Sequence, residues 1–67
     1  MIEIKFNGKV ETIDDNCSIG SFLRSKNIIS QSVISVVNSC VINLNKIDET
    51  ILKDRDELEI VRVVAGG

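Results

Sequence analysis

Apolar and charged side chains alternate through Met1-Ile2-Glu3-Ile4-Lys5-Phe6, and that period of two predicts a strand. Asn7-Gly8 follows, the two-residue pair that best tolerates the positive φ angles of a tight hairpin, and Lys9-Val10-Glu11-Thr12-Ile13 supplies the return strand. After a polar turn at Asp14-Asp15-Asn16 the period changes. Ser18 is placed to cap a helix over residues 19–26, in which Ile19, Phe22, Leu23 and the stem of Lys26 recur at helical spacing. Asn27 is a suitable stop, and Ile28, Ile29 and Ser30 form a link.

The β-branched run Ser32-Val33-Ile34-Ser35-Val36-Val37 predicts a third strand, turning at Asn38-Ser39 into Cys40-Val41-Ile42. Ser39 lacks glycine's ease at positive φ. Between Asn43 and Leu52, the spacing of Ile47, Ile51 and Leu52 predicts a short helical turn that drops all three onto the core. Lys53-Asp54-Arg55-Asp56 turns the chain into a last strand over residues 57–64, with Leu58 and Ile60 facing inward and Val61 and Val63 outward. The order ββαββ, followed by a short helical turn and the last long strand, makes this an α+β chain, with one main helix packed across a mixed sheet of four to five strands. Its first and last strands are separated by a long crossover and can pair in parallel at the centre. That is the β-grasp arrangement of ubiquitin.

The last strand runs directly into Ala65-Gly66-Gly67. Two glycines in succession pack no core and are entropically costly to order, so their value is thinness. A stem without Cβ atoms enters a narrow cleft and presents the α-carboxylate of Gly67 there. From Val64 to Gly67, a flexible tail over residues 64–67 reaches about 13 Å when extended, enough to cross the rim of another protein's active site.

Composition narrows the possibilities. A chain of 67 residues holds one domain and buries only about 60% of its unfolded surface. With 43% hydrophobic residues it can still build a small core. A net charge of -2 and scattered Lys and Arg argue against nucleic acid, and Phe6 and Phe22 make no base-stacking platform. No apolar run approaches membrane-spanning length and no signal-peptide pattern follows Met1, so the expected location is cytoplasmic.

Cys17 and Cys40 have neither redox nor metal-ligand spacing, and the chain has no histidine. Both are therefore expected to be structural or incidental thiols; the alternative is a sulfur-relay role for Cys17, which precedes a predicted helix N-terminus where the dipole can lower a thiol's pKa. Asp14-Asp15 and the Asp54/Asp56 pair lie in predicted turns, where Asp is favoured for backbone reasons. Glu57, Glu59 and Arg62 form a solvated face that can also meet a basic partner. With no histidine and no glycine-rich phosphate loop, the chain offers little for an enzyme. What remains is the terminal carboxylate, a poor electrophile until ATP converts it to an acyl-adenylate.

The motifs Ile2-x-Ile4-x-Phe6-Asn7-Gly8, the helix around Ile19 to Leu23, Val36-Val37-Asn38 before Val41-Ile42, and Asp56 leading a strand into Val64-Ala65-Gly66-Gly67 resemble the ThiS family of thiamine-biosynthesis sulfur carriers over the whole chain. The resemblance implies that Gly67 is adenylated by a ThiF-type adenylyltransferase and becomes a thiocarboxylate. Its sulfur comes from a cysteine desulfurase and passes to the thiazole synthase ThiG. On this reading the carrier is a substrate rather than an enzyme and binds no cofactor or metal, the ATP being used by its partner. Gly66 and Ala65 thread into the partner, and strand alternation makes Val61 and Val63 partner contacts. The chain departs from the family's usual pattern at Ile42-Asn43-Leu44, where Val-Pro-Arg is frequent, at Arg55-Asp56, where Gly-Asp is frequent, and at Ser39, where glycine is common.

Three other readings share these features. A molybdopterin-type sulfur carrier uses the same tail chemistry. A ubiquitin-like modifier would join Gly67 to lysines. An interaction domain with incidental glycines would function without Gly67.

Overall fold

The computed structural model describes residues 1–62; Val63, Val64, Ala65, Gly66 and Gly67 lie outside the described residues. The expected strand over 57–64 is described as far as Arg62, and the expected tail over 64–67 falls beyond it.

Strands β1 (Ile2–Phe6) and β2 (Lys9–Ile13) form the first hairpin, paired from Ile2 opposite Ile13 to Phe6 opposite Lys9. Asn7 and Gly8 take φ of 50° and 86°, the mirror-image turn whose twist suits the flanking strands. Helix α1 (Ile19–Ser25) follows, and Ser18 Oγ accepts from Ser21 N–H at 3.1 Å as the predicted cap. Its other end closes as a Schellman motif: Asn27 sits at φ 59°, its N–H donating to Arg24 O, while Ile28 N–H reaches back to Leu23 O at 2.9 Å. Asparagine tolerates that left-handed step and serves as the predicted stop, with Ser25 the last helical residue, one short of the expected end, and Lys26 the C-cap.

A 3-10 turn at Ser30–Ser32 leads into β3 (Val33–Val37), so the run expected to start at Ser32 begins one residue later. β4 (Cys40–Ile42) pairs antiparallel with β3, and β5 (Glu57–Arg62) closes the sheet. The strand order is β2-β1-β5-β3-β4. β5 is central, parallel to β1 and antiparallel to β3. Five strands of this order with one helix on the inner face make a β-grasp fold, as the element order predicted.

The core lies between sheet and helix. Ile4, Ile19, Phe22, Leu23, Ile47, Leu52 and Leu58 are buried together, and truncating a residue such as Leu58 to alanine costs about 2–5 kcal/mol. Phe6 and Phe22 meet edge to face with ring centroids 5.0 Å apart. Lys26 Nζ stands over both rings, 5.8 Å and 5.6 Å from their centroids, and pairs with Glu11 Oε1 at 2.6 Å, tying the helix C-terminus to β2.

One expectation is overturned between Asn43 and Leu52. The helical turn there is a short 3-10 segment, Leu44–Lys46, and only Ile47 and Leu52 reach the core; Ile51 is 42% exposed. Helical spacing ends before Ile51 because the backbone there becomes extended. Ile51 bridges Ser18, with Ile19 N–H donating to Thr50 O and Leu52 N–H to Cys17 O. In extended backbone neighbouring side chains point to opposite sides, so burying Leu52 turns Ile51 outward.

The acidic turn residues serve the backbone. Asp54 Oδ1 accepts from Glu3 N–H at 2.9 Å, Asp56 Oδ2 from Lys53 N–H at 2.8 Å, and Asp15 pairs with the Met1 ammonium at 3.0 Å.

Candidate functional site: the outer face of the sheet beside the C-terminal segment

Of the five positions singled out from the sequence, Val61 is described; Val63, Ala65, Gly66 and Gly67 are not. Val61 projects from the sheet face opposite the helix, 50% exposed, as strand alternation predicted. The antiparallel register then shows what stands beside it. Ile34 on β3 is its direct partner, 41% exposed, and one step along the same face Val36 is opposite Val41 of β4, itself 71% exposed. Ile34, Val36, Val41 and Val61 thus make one apolar patch across three strands. A groove of about 340 Å³ beside the patch is lined by Ile34, Val41 and Leu44, and also by Ser35, Ile42 and Ile47 from the helix side of the sheet.

Glu59 lies opposite Val36 on the same face, and Glu57 lies two residues back along β5. The patch is therefore bordered by carboxylates toward the start of β5, where Lys5 of β1 stands opposite Glu57. Such a surface suits a partner with an apolar centre and a basic rim.

The sequence reading named Val61 but not Ile34, Val36 or Val41. Two signals pointed the wrong way on β3: the central inward position, between Val33 and Val37, is held by a polar residue, Ser35, which is 4% exposed, while the outward positions hold Ile and Val. Alternation on β3 identifies Ile34 and Val36 as sharing a face. Only the register shows that this face is Val61's.

Cys17 does not match its expected chemistry. Its thiol pKa is raised, first by burial and then by the Asp14 carboxylate, rather than lowered by the helix. Helix α1 has only seven residues, and Cys17 lies before its Ser18 cap, so the dipole is weak where the thiol sits. Its Sγ donates to Ser18 O at 3.5 Å. Among the described residues, no cluster of three or more His, Cys, Asp or Glu side chains is placed to hold a metal ion. No helix of the described residues is long and apolar enough to cross a membrane.

Comparison with known proteins adds a family and a fold. The model of the ThiS family matches residues 4–67. The crystal structure of a thiamine biosynthesis protein (ThiS) from Geobacter metallireducens superposes with a TM-score of 0.85 at 25% sequence identity, covering 98% of this chain and 100% of that one. The solution NMR structure of a thiamine biosynthesis protein from Geobacter metallireducens gives a TM-score of 0.76, also at 25% identity, over 98% of this chain and 88% of that one. No curated protein matches the sequence.

Proposed function

The chain belongs to the ThiS family, and from that premise we propose that it is a sulfur carrier protein of thiamine biosynthesis, a substrate of other enzymes rather than a catalyst. The observation that carries this reading is the reach of the family match. It takes in nearly the whole domain and includes Gly66 and Gly67, the residues whose chemistry the function needs.

The Gly67 carboxylate is ionised at neutral pH and resists nucleophilic attack. A ThiF-type adenylyltransferase transfers AMP from ATP to it and releases pyrophosphate. A persulfide supplied by a cysteine desulfurase then displaces AMP to give an acyl disulfide. A thiol cleaves its S–S bond, releasing the thiocarboxylate and leaving as a disulfide, and the thiocarboxylate gives its sulfur to the thiazole synthase ThiG. Gly66 and Ala65 form the narrow stem that enters each partner's cleft. The apolar patch around Val61 and Ile34 is the docking surface that brings the stem to that cleft. Its position at the end of β5 supports this, since the chain passes from the patch into the last five residues without an intervening element.

The test is intact-mass measurement on protein recovered from sulfur-replete cells and on protein incubated with ATP, the adenylyltransferase and a sulfur donor. The expected product carries one sulfur in place of one oxygen at Gly67, and protein lacking Gly67 folds but gains no mass. Full sulfur transfer to the truncated chain, or ATP-dependent joining of the intact chain to lysines with no thiocarboxylate formed, would overturn the reading.

A further inference from the structure

Strand β5 is held unequally along its two edges. On the β3 side the pairing continues to Arg62, opposite Val33. On the β1 side the register ends at Phe6 opposite Leu58, because the chain turns away at Asn7 and Gly8. Asn7 makes the last main-chain rung, its N–H donating to Leu58 O at 3.0 Å. In a continuing parallel ladder the carbonyl of that same residue would accept the next N–H, that of Ile60. Here Ile60 N–H donates to the side-chain carbonyl Oδ1 of Asn7, at 2.8 Å.

The side chain of Asn7 thus stands in for its own backbone. One residue at φ 50° starts the hairpin turn and still supplies a further rung to the strand that leads to the C-terminus. The turn alone does not require this. Glycine serves a left-handed position at least as well, but has no acceptor to offer.

We propose that Asn7 is a positioning residue for the C-terminal segment: its Oδ1 keeps β5 fastened on both edges as far as Ile60, fixing the point and direction from which Gly66 and Gly67 are presented. This rests on the carrier reading. A stem that leaves a sheet held on both sides loses less freedom on entering a narrow cleft than one whose last rung is missing. That difference is present in the ground state and the transition state alike, so it acts on KM rather than on kcat.

The test uses the full chain with two substitutions. Asn7→Gly keeps the left-handed turn and removes the acceptor; Asn7→Asp keeps an oxygen and tolerates the same φ. Amide hydrogen exchange compares Ile60 with Leu58 in the free protein, and ATP–pyrophosphate exchange by the adenylyltransferase is followed at varied carrier concentration. In Asn7→Gly, Ile60 should exchange about fivefold faster relative to Leu58, the scale of one hydrogen bond. KM for the carrier should rise about threefold or more with kcat unchanged. Asn7→Asp should restore both. The positioning role is overturned if Leu58 and Ile60 speed up together, as in general destabilisation, or if Ile60 is released while KM stays at the wild-type value. Wild-type protein that is not adenylated at all would overturn the carrier reading, and the positioning role with it.

Discussion

Asn38 Nδ2 donates to Asp56 Oδ1 at 3.0 Å, joining the β3–β4 turn to the turn that enters β5. The same Asn38 accepts from Glu57 N–H through its Oδ1 at 3.0 Å and donates its own N–H to Glu57 O at 2.9 Å. One asparagine therefore fastens the β3–β4 turn to the start of β5 through three hydrogen bonds.

Replacing Asn38 by glycine keeps its left-handed backbone, at φ 50°, and deletes only the side-chain bonds. The expected loss is about 1–3 kcal/mol for two bonds at an exposed site, one of them to a carboxylate. Urea unfolding measures it. A midpoint within error of wild type would show that water replaces both bonds without cost.

Ser39 and Arg55 both stand at φ 70°, where an L side chain is strained by about 1–2 kcal/mol. Glycine relieves the strain but adds about 0.4–1 kcal/mol of unfolded-state entropy. Ser39→Gly and Arg55→Gly should therefore each raise stability by about 0.5–1 kcal/mol. Thermal unfolding of the two single variants checks this. Destabilisation by Arg55→Gly would mean that the arginine side chain makes a contribution larger than its backbone strain.

Cys17 sets a pH dependence. Its thiol pKa is higher in the folded protein than in the unfolded chain, where cysteine titrates near about 8.5. The native state thus holds this proton more tightly. The associated stability is fully present below the unfolded pKa and is lost as pH rises through the folded one. Urea midpoints should fall as pH rises past about 8.5 in wild type, and fall less in Cys17→Ser. Equal slopes in the two proteins would assign the loss to other groups. The same burial should make Cys17 slower to alkylate than the exposed Cys40.

Ile34→Asp and Val61→Asp each place an unpaired carboxylate in the middle of the apolar patch. Binding to the adenylyltransferase should weaken about tenfold or more, since the charge must be desolvated against an apolar surface. Both positions are solvent-exposed in the free protein, so stability should change by about 1 kcal/mol or less. Titration calorimetry and urea unfolding separate the two effects. Unchanged affinity in both variants would place the docking surface on another face.

The sequence was sufficient wherever a local rule decides the outcome. Asn7-Gly8 specifies a mirror-image hairpin turn because few other pairs accept two positive φ angles in succession. Ser18 and Asn27 bound the helix because each satisfies backbone groups within a few residues of itself. The order of these elements, with a long crossover before β5, then leaves few ways to pair the strands. Contacts between residues distant in sequence were decided only by the tertiary structure. Whether Val61 meets Ile34 depends on the β3–β5 register, and Ile51 points outward because its segment pairs with the start of the helix instead of coiling. The burial and the Asp14 charge that raise the Cys17 thiol, and the β5 amide that Asn7 accepts, depend in the same way on what folding brings alongside. Periodicity records which side of an element a residue faces; only packing determines what is waiting there.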